Sequence, residues 1–415
     1  MLSHNKIGLY TLVMAKWLSV SLIVGATGGF VGSLFVIGVN KANELWFSNR
    51  ELTFFLPLAG LIIVAIYGFF KFDKIKGTNR IIDKVRAKEE LPVVVGPLIF
   101  ISTILTHLFG GSAGREGAAV QLGGSIGSGF AKYFGVDEKD TSLIVLSGVS
   151  AVFAALFGTP VTAVFFALEV ISVGVIYYSG LIPCLVSSLT AYGISRAMGI
   201  PEEKWNFITF PKLEFDTVAL VAIIGIMSAI MSVIIVITFS NTKKILEKTV
   251  KNQYYRIAFG GGLIILLSFI FSSGDYNGAG AQVIVEALRG EAEPWACFIK
   301  LLFTAITLGA GFKGGEIIPT FFIGATLGAT IGSIIGMDPG FAAAIGLVAT
   351  FCGAVNCPIA SMIMSLELFG DGGFIYFAIA CAVSYTLSGY YSLYSSQKIV
   401  YSKTKAKYIN ADTKQ

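Results

Sequence analysis

Apolar runs of membrane-spanning or near-spanning length recur along this chain of 415 residues, at 17–39, 53–70, 93–109, 142–158, 160–178, 217–239, 257–272, 298–311, 340–353 and 372–388. A bilayer core offers no water to backbone N–H and C=O groups, so segments that cross it satisfy those groups within helices. The composition agrees, at 55% hydrophobic and 13% charged residues, where a soluble domain carries about 25% charged residues. The expected fold class is therefore an all-α polytopic membrane protein, multi-pass in a cell membrane. Several runs fall short of the roughly 20 residues that a full span needs. Tilted, broken or re-entrant helices packed among others suit them. Residues 1–16 are mildly polar and the first run is too long for a signal-peptide core, so no cleavable leader is expected.

Orientation follows from the lysines and arginines. Segment 71–88 carries Lys71, Lys74, Lys76, Arg80, Lys84, Arg86 and Lys88 against Asp73 and Asp83. Segment 243–256 carries Lys243, Lys244, Lys248, Lys251 and Arg256 against Glu247, and 398–407 adds Lys398, Lys403, Lys405 and Lys407. The positive-inside rule places all three in the cytoplasm, along with both termini, and leaves 40–52, 198–216 and 273–295 facing outward. The net charge of +5 thus reflects topology, and nucleic acid is not an expected partner. The five cysteines, Cys184, Cys297, Cys352, Cys357 and Cys381, are odd in number and sit mostly in apolar runs, which fits neither a disulfide framework nor a zinc site. The histidines are His4 and His107, so no histidine-based metal site or catalytic triad is expected. No cofactor and no enzymatic activity are expected either. His107 suits a hydrogen-bonded structural role better than a place in a proton wire.

The two halves echo each other. Gly111-Ser112-Ala113-Gly114-Arg115-Glu116 aligns with Gly311-Phe312-Lys313-Gly314-Gly315-Glu316, which sets Glu116 and Glu316 at equivalent positions. Further on, the segment from Pro160 to Glu169 aligns with that from Pro358 to Glu367. The basic segments occupy different places within the halves, as opposite membrane orientations require. Inverted repeats place a substrate site between them, near the midplane, built from discontinuous helix ends. Each glycine tract can end a buried loop and start a half-helix, whose positive N-terminal end favours an anion. Pro160 and Pro358 mark further helix starts. Gly123, Gly124, Gly127 and Gly129, like Gly324, Gly328 and Gly332, read as packing glycines. Glu169 and Glu367 fit helix-end hydrogen bonding or an interfacial salt bridge better than transport. The expected organisation is one transmembrane domain over 1–405, with repeats at about 15–200 and 215–400, followed by a polar tail at 406–415 without fixed structure.

At these residues the chain resembles the CLC family of chloride channels and anion/proton antiporters. Gly114-Arg115-Glu116-Gly117 matches the family's gating-glutamate motif, with Ala118 where a proline usually follows. Gly314-Gly315-Glu316-Ile317-Ile318-Pro319 occupies its second anion-binding motif. The resemblance covers roughly residues 15–400 and implies about eighteen tilted and discontinuous helices in two inverted repeats. It also implies a homodimer with one pathway per subunit, and the tail after Tyr401 is too short for the nucleotide-binding domains some relatives append. Departures resemble the fluoride-transporting branch. Lys76-Gly77-Thr78-Asn79-Arg80 replaces the Gly-Ser-Gly-Ile-Pro motif whose serine coordinates the central anion in chloride-selective relatives. Glu316 stands where those relatives have an apolar residue. Val170 stands where chloride/proton antiporters carry an inner proton-transfer glutamate. Tyr394 matches the tyrosine lining the inner side of the central site.

The resemblance implies a fluoride/proton antiporter that exports fluoride, with a chloride/proton antiporter or a passive chloride channel as the alternatives. Ionised, Glu116 can occupy the anion's place on backbone N–H groups. Protonated, it loses that preference and swings away. Glu116 and Glu316 are the candidates for gating and proton coupling. Fluoride is small, strongly hydrated and a powerful acceptor, so leaving water demands strong donors. The backbone N–H groups at Gly114, Ile317 and Ile318 and the hydroxyls of Thr78 and Tyr394 are the candidate anion ligands. Arg115 joins them by position, although its better role is to brace the loop.

Overall fold

The computed structural model describes residues 4–72, 77–87, 91–205, 208–271 and 274–415. Lys74, Lys76 and Lys88 of the first basic segment, with Asp73, lie outside them. Sixteen α-helices and two short 3-10 helices account for most of the described residues. The first half contains α1 (His4–Ser48), α2 (Leu56–Phe69), α3 (Asn79–Ala87), α4 (Val95–Leu108), α5 (Glu116–Phe134), α6 (Glu138–Phe157), α7 (Pro160–Glu169) and α8 (Leu181–Ala197). The second contains α9 (Phe215–Thr249), α10 (Gln253–Phe271), α11 (Ala281–Leu288), α12 (Ala296–Ala310), α13 (Ile317–Ile335), α14 (Pro339–Val355), α15 (Pro358–Phe369) and α16 (Phe374–Leu387). Among the described residues, six helical segments are long and apolar enough to cross a membrane. The shorter ones are not: ten-residue α7 is only about 15 Å long. It must lie inside the protein, as broken helices at membrane depth do.

α6 and α14 form the centre. Every residue of α6 from Ile144 to Phe157 and every residue of α14 from Gly340 to Val355 is buried. A helix apolar on all sides has no solvent face to present, so it sits in the middle of the bundle. Phenylalanines from both halves meet there: Phe153 and Phe166 are 4.7 Å apart between ring centroids, Phe166 and Phe351 6.3 Å, and Phe321 and Phe351 5.2 Å. Lipid tails are as apolar as leucine, so helices in a bilayer associate through close contact rather than by escaping water. The glycines supply that contact. A Cβ on Gly123 would lie 2.3 Å from the Gly148 carbonyl oxygen, and one on Gly324 would lie 2.5 Å from that of Gly346. Backbone thus meets backbone between α5 and α6, and again between α13 and α14.

The halves are related by a two-fold arrangement that shows at the helix ends. The Glu367 carboxylate, at the end of α15, accepts from Val161 N at 3.0 Å and Thr162 N at 2.8 Å, the start of α7. In return Glu169, at the end of α7, accepts from Ile359 N at 3.3 Å and Ala360 N at 3.0 Å, the start of α15. Each carboxylate fills the unpaired N–H groups of the other helix's first turn, where the helix dipole also favours a negative charge. Glu169 and Glu367 are therefore helix-end hydrogen-bonding groups.

Several expectations change. The run at 160–178 breaks after Glu169, and Ser172–Val173 forms a short strand, β1. The basic segment 243–256 is not one loop: α9 continues to Thr249 and α10 starts at Gln253. Lysines in a helix's last turns meet its negative end favourably, so the helix runs on into them. The tail is ordered. β2 (Lys398–Tyr401) pairs in parallel with β1 and antiparallel with β3 (Tyr408–Asp412). Alternating exposure along β3 is a strand pattern too short and too polar to stand out in a hydropathy reading.

Replacing Gly346 by alanine should drive a Cβ to 2.4 Å from the Gly324 carbonyl oxygen, at a cost of about 1–3 kcal/mol by overpacking. Gly262→Ala meets nothing within 4 Å and should leave stability unchanged or slightly raised. Thermal unfolding in one detergent separates the two; equal midpoints would contradict backbone contact at the α13–α14 seam.

Candidate functional site

The tracts before α5 and α13 are drawn together by the chain itself. Gly114 N donates to the Gly315 carbonyl at 2.7 Å and Gly315 N donates to that of Gly114 at 2.7 Å, a two-bond antiparallel bridge between the halves. Beside it, a Cβ on Gly314 would lie 2.4 Å from the Ala113 Cβ. Helices leave in opposite senses from this bridge, α5 from its N-cap Arg115 and α13 from its N-cap Glu316.

This geometry shifts the repeat by one residue. Gly114 corresponds to Gly315, Arg115 to Glu316, and Glu116 to Ile317. The caps further on keep the same register: Gly135 and Gly336 end α5 and α13 in the left-handed conformation. Asp137 and Asp338 cap α6 and α14 with their side chains. Glu116 and Glu316 are therefore not equivalent. The shared Gly-x-Glu pattern aligned them, but helix starts decide register and they differ by one position.

Equivalent residues of an inverted pair face opposite ways, and Arg115 and Glu316 do. Arg115 donates to Asn40 at 3.0 Å and forms an ion pair with Glu203 at 2.6 Å. Its guanidinium is occupied by the protein and braces the start of α5. Glu316 instead lines a cavity of about 300 Å³ on the other side. Thr78, Gln121, Lys313, Tyr394, Lys243 and Arg256 share that cavity's wall.

Glu116 lies between the two sides and is fully buried. Its Oε2 accepts from Ile318 N at 3.2 Å, across the bridge at the first turn of α13, and its Oε1 has no partner. The carboxylate thus sits where a helix start binds an anion. Ile317 opens that helix, and its N–H is among those a helix start leaves free of intrahelical bonds. The glycines make the approach possible: a Cβ on Gly117 would lie 3.2 Å from Glu316 Oε2, and one on Gly315 3.0 Å from Glu116 Oε2. Both carboxylates therefore pack against the bridge, Glu316 on the cavity side and Glu116 behind it.

Two further buried groups there lack protein partners, Glu316 Oε2 and the Tyr394 hydroxyl. A buried polar atom left unbonded costs about 1–3 kcal/mol, so these atoms are poised for something that enters. The Thr78 hydroxyl makes a long bond of 3.3 Å to the Gly117 carbonyl, which Gln121 Nε2 also reaches at 3.1 Å. Gly114 N is not available as an anion donor, because the Gly315 carbonyl holds it. His107 bridges the Asn43 side chain at 3.2 Å and the Gly114 carbonyl at 3.3 Å, so it supports the loop from behind.

Some participants carried no motif. Asn40 and Asn43 fall just past the apolar run that ends at 39, in a segment expected to face outward, and gave no signal until α1 was seen to continue to Ser48. Glu203 gave none, and Lys313 stood within the second glycine tract without a role of its own. Lys243 and Arg256 entered the sequence reading as topology markers, yet they line the cavity.

Known proteins share this architecture. A sequence profile of the family described as voltage gated chloride channel matches residues 58–389. The chain is 32% identical over 399 residues to a chloride/fluoride channel protein of Pseudomonas syringae pv. tomato, covering 94% of this chain and 88% of that protein. The crystal structure of a CLC-type fluoride/proton antiporter superposes with a TM-score of 0.89 at 29% identity, over 92% of this chain and 98% of that one. A slow cyanobacterial Cl-/H+ antiporter has the same fold, with a TM-score of 0.77 at 18% identity over 90% of this chain and 94% of that one.

Glu116→Ala vacates the Ile318 N–H. Halide binding to the detergent-purified variant, followed by titration calorimetry at neutral pH, should tighten by about tenfold, in line with the loss of one competing charge-assisted hydrogen bond. Unchanged affinity would mean that the carboxylate does not occupy an anion's place.

Proposed function

The chain belongs to the CLC family of voltage gated chloride channels, and from that premise we propose that it exchanges fluoride for protons and exports fluoride from the cytoplasm. The observation that carries this reading is Glu116, whose Oε2 sits on the Ile318 N–H while Oε1 stays unbonded. A carboxylate in an anion's place competes with that anion. Protonation removes its charge and its claim on the N–H, and the anion takes over. Proton uptake by Glu116 therefore opens the site to the anion, which links the two movements, and a protonated side chain that swings away from the site suits exchange in opposite directions.

Fluoride fits the remaining groups better than chloride does. The Thr78 and Tyr394 hydroxyls, the Ile317 N–H, the Ile318 N–H once Glu116 releases it, and protonated Glu116 or Glu316 are compact, strong donors. They suit a small ion that gives up tightly held water. Relatives named for fluoride, one a chloride/fluoride channel protein and one a fluoride/proton antiporter, support the same choice. The cavity opens among Lys243 and Arg256, residues that the positive-inside rule assigns to the cytoplasm. Fluoride would enter there, attracted by that charge, pass Tyr394 and Glu316, and leave past Glu116. In the membrane the protein is a homodimer with one such path in each subunit, and both termini face the cytoplasm.

Purified protein in liposomes should carry fluoride faster than chloride, and outward fluoride movement should drive proton uptake. Preference for chloride would replace this reading with a chloride/proton antiporter, and anion flux without proton movement would replace it with a passive channel. Glu116→Gln should abolish the proton uptake; intact coupling in that variant removes Glu116 from the mechanism. Glu316→Ala should slow fluoride turnover by about tenfold or more, on the scale of one lost general acid–base or charge-stabilising group. A wild-type rate would leave Glu316 a wall residue only.

A further inference from the structure

Tyr394 rides on an irregular segment between α16 and β2, which several parts of the protein hold in place, the end of α7 among them through Gln397 Nε2, which donates to the Val170 carbonyl at 3.0 Å. The end of α14 is another. Leu393 N donates to the Ala354 carbonyl at 3.0 Å, Asn356 Nδ2 to that of Tyr391 at 2.9 Å, and Gln397 Nε2 to that of Val355 at 3.0 Å. The start of α3 is a further one, where Ser396 N donates to Asn79 Oδ1 at 2.9 Å, next to Thr78.

The last is the chain beyond β3, expected to be unstructured. Lys414 N donates to the Tyr390 carbonyl at 2.8 Å, and Ser392 N donates to that of Lys414 at 3.2 Å. Gln415 Nε2 donates to the Leu393 carbonyl at 3.2 Å, and the Thr413 hydroxyl donates to the carbonyl of Tyr394 itself at 3.0 Å. β3 delivers these residues to the site: Asp412 pairs with Lys398 through the strand register and through an ion pair. Gln415 reaches far enough to line the cavity that Tyr394, Glu316 and Thr78 border.

A tyrosine hydroxyl stands at the end of a rigid ring with two rotatable bonds, so its place is set by the backbone that carries it. The Tyr394 hydroxyl has no protein partner to correct it, although the residue is 1% exposed. A small shift of the segment therefore moves the hydroxyl in full. Lost alignment of about 1 Å at a reacting or binding centre is enough to change function severalfold or more.

We propose that residues 413–415 form a clasp that positions Tyr394 for the transported anion, with Thr413 as its central positioning residue. This assignment rests on the anion path proposed above. The clasp lies outside the passage and acts on it through the backbone of one residue. α14 and Asn79 hold the segment from two other sides, so loosening the clasp mispositions Tyr394 without unfolding the loop.

Transport by the full chain in liposomes tests this. Anion preference of the wild type is measured first and the variants are compared on the preferred anion, so failure of the fluoride assignment leaves the clasp test intact. Thr413→Val should raise the apparent KM about three- to tenfold, the equivalent of one neutral hydrogen bond, with maximal turnover within about twofold of wild type. Thr413→Ser keeps the donor and should restore the wild-type KM. In a Tyr394→Phe background Thr413→Val should add little, because two residues acting through one hydroxyl are not additive. A wild-type KM in Thr413→Val, a failure of serine to restore it, or a full-sized effect without the Tyr394 hydroxyl would each overturn the proposal.

Discussion

Two backbone hydrogen bonds between Gly114 and Gly315 hold the centre of this protein together. They join tracts that come from opposite halves, and they do so with main chain alone, which requires residues without bulk on both sides. Once the tracts meet, α5 and α13 must leave from the same point in opposite senses. Both helix N-termini, whose first N–H groups have no intrahelical partners, then lie beside each other at the bridge. The glycine seams between α5 and α6 and between α13 and α14 carry this close contact outward into the bundle. The exchanged caps of Glu169 and Glu367 repeat the two-fold logic at α7 and α15.

Function depends on where that symmetry fails chemically. Arg115 and Glu316 occupy matching positions at the bridge and face opposite sides. One is a cation bound up by Asn40 and Glu203, the other a carboxyl with an unbonded oxygen beside the cavity. Glu116 and Ile317 match in the same way. The carboxylate of the first reaches across to the N–H that follows the second. Inversion thus brings the two helix starts together, and unlike residues at like positions make the two sides chemically different.

Much of this was legible in the chain. Hydropathy marked ten of the helices well enough to class the fold, because a bilayer leaves the backbone few choices. The glycine tracts, Glu116, Tyr394 and the repeat itself stood out because their motifs are short and contiguous. Glu169 and Glu367 were assigned to helix ends from their place at the close of apolar segments. The register of the repeat was not legible: Gly-x-Glu recurs at 114–116 and 314–316, and pattern matching follows the recurrence. Helix starts are set by backbone bonds instead, and those placed Glu316 opposite Arg115.

Local chemistry in the chain decided that it crosses a membrane, that it does so twice over in related halves, and that carboxylates sit beside glycine-rich helix starts. Those properties need only neighbouring residues or regular spacing. Folding decided which of these groups are spent and which are free. Gly114 N and the Arg115 guanidinium, both plausible anion ligands by motif, are held by Gly315 and by Glu203 and Asn40. Glu316 Oε2 and the Tyr394 hydroxyl are left unbonded. The polar tail became a strand and a clasp for the same reason. A hydrogen-bonding group becomes a ligand, a brace or a cap according to what stands within about 3 Å of it, and here the partners come from chain segments far away in sequence.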